Sequence, residues 1–110
     1  MLENLFSLNG KVAVVTGGSR GIGAMIARGY LESGVKTYIT SRSLDELQAT
    51  ARELSAFGEC IAIQSDLSTM EGVQAFADAI KAKEAQVHIL VNNAGIQFGG
   101  RQAVQPLGIG

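Results

Sequence analysis

Four short apolar runs rich in β-branched residues recur along this chain. The stretches between them have apolar positions that repeat every three or four residues. Residues 11–16 carry four β-branched side chains, Val12, Val14, Val15 and Thr16, with no polar alternation, which predicts a buried strand of the parallel kind. Residues 21–33 read as a helix with Ile22, Met25, Ile26 and Tyr30 near one face, and Gly34 follows as its terminating residue. Residues 35–40 predict a second strand. Ser43 and Glu46 stand at capping-box spacing, and Leu44, Leu47, Ala51 and Leu54 step by 3, 4 and 3 along the helix they introduce. Gly58 ends that helix, and residues 59–64 predict a third strand. Ser68 and Glu71 repeat the capping box ahead of an apolar stripe of Val73, Phe76, Ala77 and Ile80, and residues 87–91 predict a fourth strand.

The order βαβαβαβ implies an α/β fold, a doubly wound, Rossmann-like parallel sheet with right-handed crossovers and helices on both faces. The only recurrence is the βα unit itself, so no solenoid is expected. Residues 96–110 contain no acidic residue and follow neither period. The expected organisation is therefore a domain over 1–95 and an irregular tail over 96–110.

Composition narrows the function classes. At 46% hydrophobic and 17% charged, the chain has enough apolar material for a core. A formal charge of −1 gives no basic face for nucleic acid. No apolar run approaches a membrane span, and residues 1–10 lack the pattern of a secretion signal. The lone Cys60 has no internal disulfide partner, which fits a cytoplasmic location.

The candidate chemistry lies where strands end. Thr16-Gly17-Gly18-Ser19-Arg20-Gly21-Ile22-Gly23 joins the first strand to the first helix. Glycines there let backbone amides approach a ligand, and a helix N-terminus offers unpaired N–H groups with partial positive charge. The combination suits the pyrophosphate of a nucleotide, although glycine-rich turns also serve packing alone. The spacing differs from G-x-G-x-x-G, and no Lys-Ser/Thr pair follows as in a Walker loop. After the second strand, where NAD-binding domains place a carboxylate for the ribose, the sequence reads Thr40-Ser41-Arg42-Ser43. Arg42, with Arg20, would attract a 2′-phosphate that a carboxylate would repel, which favours NADP over NAD. The plainer alternative for Arg42 is a solvated loop charge. Asp66 follows the third strand and Asn92-Asn93-Ala94-Gly95 the fourth, on the edge of the sheet where such folds bind ligands. Asp66 suits the adenine amino group, and Ala94 and Gly95 leave room for ribose. Helix initiation by Asp66 and an ordinary Asn-rich turn are the structural alternatives.

Taken together, Thr16–Gly23, Asp66-Leu67 and Asn92–Gly95 resemble the short-chain dehydrogenase/reductase family over about residues 5–95. Ser19-Arg20 and Ser41-Arg42 are similar to its NADP-preferring members, such as 3-oxoacyl-carrier-protein reductases. The resemblance implies a strand order of 3-2-1-4. It implies that Gly17, Ser19, Arg20, Gly21, Ile22 and Gly23 line the pyrophosphate and nicotinamide side, and that Arg42 faces the 2′-phosphate. Asp66 and Leu67 would flank adenine, and Asn92, Ala94 and Gly95 the adjacent ribose. It further implies hydride transfer between the cofactor and a small carbonyl or alcohol substrate, in a homo-oligomer for full-length relatives.

Catalysis in that family uses a Tyr with a Lys four residues on, a Ser and a helical Asn, all beyond the Asn-Asn-Ala-Gly motif. Here Tyr30 is followed at that distance by Gly34, and Tyr38 by Arg42; both precede the motif, so no catalytic residue is expected in this chain. The chain reads as the cofactor-binding part of an oxidoreductase, a truncated fragment or frameshifted reading whose fourth strand becomes an exposed edge. The alternative is a non-catalytic dinucleotide-binding or regulatory module. Cys60 and the single His88 have no metal-spaced partners, and no metal site is expected.

Overall fold

In the computed structural model, residues 8–19 and 21–93 are described. Their elements run β1 (Val12–Thr16), α1 (Gly21–Glu32), β2 (Lys36–Thr40), α2 (Leu44–Leu54), β3 (Cys60–Ala62), α3 (Met70–Lys83) and β4 (Ile89–Asn92). The expected tail over 96–110 lies outside the described residues. The strands form one parallel sheet in the order β3-β2-β1-β4, as the family resemblance implies, with β4 at an edge.

Alternation along the central strands separates two cores. Val15 and Ile39 pack with Ala27 and Leu31 of α1 and Leu47 and Leu54 of α2. Val12, Val14 and Tyr38 point to the other face and pack with Phe76 and Ile80 of α3. The crossovers therefore pass to opposite sides of β1. The carboxyl ends of β1 and β4 flank the point where the winding reverses, and open α/β sheets form their ligand crevices at such a point.

The helix ends follow local chemistry. Gly34, at φ +84°, closes α1 as expected: its N–H reaches the Leu31 carbonyl, and the Val35 N–H reaches that of Tyr30, both at 3.0 Å. Ser43 caps α2, its hydroxyl accepting the Glu46 N–H. The cap of α3 differs from expectation. It is Thr69, whose hydroxyl oxygen accepts the Gly72 N–H at 2.9 Å. Ser68 is drawn away because its N–H and hydroxyl both donate to Asp66 Oδ1, at 3.0 and 2.6 Å. This turn holds Ser68 outside the helix and moves the cap one residue along.

The buried stripe of α1 also differs. Gly23, Ala27 and Leu31 face the core, with Ile26 and Tyr30 at its margin, whereas Ile22 and Met25 are 58% and 71% exposed. Close approach of the helix to the glycine loop selects small residues, so the largest apolar side chains do not mark its inner face. Leu44 and Val73 are likewise exposed at the starts of their stripes. β3 is shorter than expected, and β4 begins two residues later than expected. Ahead of β4, His88 Nδ1 accepts the Val12 N–H at 3.0 Å.

Candidate functional site

The loop after β1 is fixed from three directions. From β4, the Thr16 hydroxyl donates to Asn92 Oδ1 and accepts the Asn93 N–H, each at 3.0 Å, while the Asn93 side-chain amide donates to the Gly17 carbonyl at 3.2 Å. From β2, the Thr40 carbonyl accepts the Gly17 N–H at 2.9 Å. From α2, the Thr50 hydroxyl donates to the Ser19 carbonyl at 2.6 Å.

Glycine is required at specific points in this arrangement. Gly17 and Gly21 have φ of +69° and +60°, in the left-handed region. A Cβ on Gly23 would run into the Gly17 carbonyl and the Asn93 side chain, so α1 can begin against the loop only with glycine there. A Cβ on Gly21 would meet nothing, which leaves space beside the start of the helix. α1 has no acidic residue in its first turn, so the positive end of its dipole faces no carboxylate of its own. The arrangement fits an anion over the loop.

The neighbouring β2–β3 exit is also held. Thr40 and Ser65 hydroxyls lie 2.5 Å apart, the Ser65 N–H donates to the Ser41 carbonyl at 3.1 Å, and the Gln64 amide donates to the Arg42 carbonyl at 2.8 Å. Arg42 is exposed two residues past β2, and Asp66 is exposed beyond β3. Two hydrogen bonds from Ser68 hold the Asp66 carboxyl below the usual carboxylate range, and the Arg42 charge adds to the effect.

The expected site residues that are described lie at or just beyond the carboxyl ends of the strands. Ser19 is buried within the loop and Ile22 is exposed on α1. Leu67 packs at the margin of the α3 core. Asn92 spends its side-chain oxygen on Thr16. Arg20, Ala94 and Gly95 lie outside the described residues. Reading the sequence did not assign Thr16, Thr50, Gln64, Ser65 or Asn93 to the site. The doubled asparagine was the available signal for Asn93, since neighbouring residues at a strand end point to different sides. Nothing local marks Thr50 or Gln64.

Tyr38 is not placed for proton transfer beside this loop. Tyr38 is 1% exposed, and its hydroxyl donates to Glu84 at 2.6 Å. Glu84 also pairs with Lys36, the first residue of β2, so this hydroxyl sits at the end of the sheet opposite the loop. Burial pushes the phenol up to about 12, with the Glu84 carboxylate adding to it. No cluster of His, Cys, Asp and Glu suited to a metal occurs among the described residues.

Residues 11–107 match the family model described as short chain dehydrogenase. The chain belongs to that family. It is 47% identical over 102 residues to a rhamnolipids biosynthesis 3-oxoacyl-[acyl-carrier-protein] reductase of Pseudomonas aeruginosa, a match covering 93% of this chain and 40% of that protein. Among solved structures, an RhlG/NADP active-site complex from Pseudomonas aeruginosa superposes with a TM-score of 0.80 at 50% identity, covering 83% of this chain and 37% of that one. L-sorbose reductase from Gluconobacter frateurii, complexed with NADPH and L-sorbose, gives 0.78 at 36% identity, covering 86% and 37%. The chain thus spans between 30% and 40% of the length of the curated relatives it matches. The hydrogen bonds above link the glycine loop physically to the Asn-Asn pair.

Proposed function

We propose that this chain binds NADP(H) as the cofactor-binding part of a short-chain oxidoreductase of the carbonyl or 3-oxoacyl reductase type. The observation that carries this reading is the braced glycine loop at the sheet reversal, with Arg42 in place of a carboxylate beyond β2. Gly17, Ser19, Arg20, Gly21, Ile22 and Gly23 hold the pyrophosphate and nicotinamide side. Arg42 engages the 2′-phosphate, Asp66 and Leu67 flank the adenine, and Asn92, Ala94 and Gly95 border the ribose. The NADP or NADPH named with the related structures supports this choice of cofactor.

When bound, the nicotinamide supplies the hydride chemistry. This chain's residues contribute binding and orientation: the loop amides and helix terminus neutralise phosphate charge, and the Thr16–Asn93 brace keeps the loop from shifting. Proton transfer falls to none of them. The substrate is a small carbonyl compound or the corresponding alcohol, the location cytoplasmic, and the full-length protein a homo-oligomer.

Titration of the chain with NADPH and NADH, followed by a carbonyl-reduction assay, tests the proposal. Tighter binding of NADPH without turnover is expected. Failure to bind either cofactor overturns the binding role, and turnover by the chain alone overturns the assignment of catalysis elsewhere. Binding without turnover also describes a regulatory dinucleotide module. Restored turnover on joining the chain to the remaining part of a relative separates the two.

A further inference from the structure

The exit of β2 is held differently from the ordinary sheet. Hydrogen bonding between the two segments continues beyond β3, with the Ile63 N–H on the Ile39 carbonyl at 3.0 Å, and then beyond both strands, with the Ser65 N–H on the Ser41 carbonyl at 3.1 Å. The residue between these two donors, Gln64, uses its side chain instead, and its amide Nε2 reaches the Arg42 carbonyl at 2.8 Å. The Thr40–Ser65 hydroxyl contact at 2.5 Å lies just before it. Ser41 is held before Arg42 and the Ser43 cap after it, and the Gln64 bond adds a hold on the carbonyl of Arg42 itself. A long, exposed cationic side chain contributes little to recognition when its own backbone wanders, because each conformation it loses on binding costs entropy. Holding its carbonyl removes part of that cost beforehand.

We propose that Gln64 is a positioning residue that sets the preference for a 2′-phosphorylated dinucleotide by fixing the backbone of Arg42. The inference rests on the reading of Arg42 as the 2′-phosphate partner. Gln64 itself touches no cofactor atom in this account. Its effect is confined to the ligand that Arg42 distinguishes, and a hydrogen bond of ordinary net strength corresponds to about a three-fold change in affinity.

The test uses the full chain and the fluorescence of the reduced cofactors to measure dissociation constants for NADPH and NADH. Four proteins are compared: wild type, Gln64→Met, Arg42→Ala and the double variant. Gln64 is exposed, so Gln64→Met retains the fold, and its thermal midpoint is recorded as a check. The expected result is about three-fold weaker NADPH binding in Gln64→Met with NADH binding unchanged, and no further loss when the substitution is added to Arg42→Ala. Equal weakening of both cofactors, an unchanged NADPH affinity, or an undiminished loss in the Arg42→Ala background each overturns the inference. Failure of the underlying reading looks different: Arg42→Ala itself then leaves the NADPH-to-NADH ratio at its wild-type value, and the inference falls with it.

Discussion

The hydroxyl of Thr16 accepts the backbone N–H of Asn93 at 3.0 Å while donating to the Asn92 side chain at the same distance. One oxygen, 6% exposed as a residue, thus joins the end of β1 to the end of β4 across 76 and 77 positions of sequence. Thr16→Val keeps the shape and removes both bonds. It is expected to lower stability by about 1–3 kcal/mol, since it leaves the Asn93 N–H without its partner. NADPH binding is expected to weaken with it. A urea midpoint equal to that of wild type would show that water replaces the hydroxyl without cost.

Two glycines of α1 give opposite outcomes on substitution. Gly23→Ala places a Cβ against the Gly17 carbonyl, and overpacking of backbone against backbone is expected to cost about 1–3 kcal/mol or more and to displace the loop. Gly29 lies on the exposed side of the same helix with nothing within 4 Å of a built Cβ. Gly29→Ala is expected to stabilise by about 0.5–1 kcal/mol, because alanine restricts the unfolded chain and favours helix. Thermal midpoints that move in the same direction for both would contradict this account.

Replacing Arg42 by Asp puts a carboxylate where the 2′-phosphate is proposed to bind. The NADPH-to-NADH affinity ratio is expected to fall by about tenfold or more, through loss of a charge-assisted contact and gain of repulsion. Added salt should narrow the wild-type ratio, since Arg42 is exposed. A ratio insensitive to both changes would assign the preference elsewhere.

The Lys36–Glu84–Tyr38 cluster predicts how stability follows pH. Its hydrogen bonds with Lys36 and Tyr38 lower Glu84 from its ordinary 4.5, so its contribution is present above that value and is lost as pH falls through the folded pKa. Lys36 is raised above 10.5, chiefly by its bond to Glu84, and its contribution is present below 10.5 and lost as pH rises through the folded value. Tyr38, raised from 10.0 to about 12, contributes fully below 10 and loses that contribution as pH passes about 12. Wild type is therefore expected to lose stability at both extremes. Glu84→Gln should remove the acid limb and flatten the alkaline limb only in part, because burial is the main cause at Tyr38, and an equally steep acid limb in that variant would exclude Glu84 as its source. Denaturant melts across pH provide the measurement.

The alternating strands and helices were legible because β-branched runs and helical stripes recur, and the strand order only through the family resemblance that the strand-end motifs carry. The inner face of α1 was not. Periodicity gives weight to Ile22 and Met25, whereas the packing that matters selects Gly23 and Ala27 for closeness. The cap of α3 was misplaced by one residue because Ser68 and Thr69 are both good caps, and only the competing Asp66 carboxylate decides between them. Arg42 and Asp66 stand out as candidates from their positions after strands. Gln64 and Thr50 do not, because their partners lie 22 and 31 residues away and no local pattern records such a bond.

The bond between Thr16 and Asn93 joins residues that are made far apart during synthesis. β1 can pair with β2 once about the first forty residues have left the ribosome, since Thr16 and Thr40 are in register. The brace on Gly17 has to wait for residue 93, after two more strands and two more helices have been made. Closing so long a loop comes late because its entropy has to be met before the contact rewards it. Of the three holds on the loop, those from Thr40 and Thr50 come from residues made early, and the one from Asn93 is the last to become available.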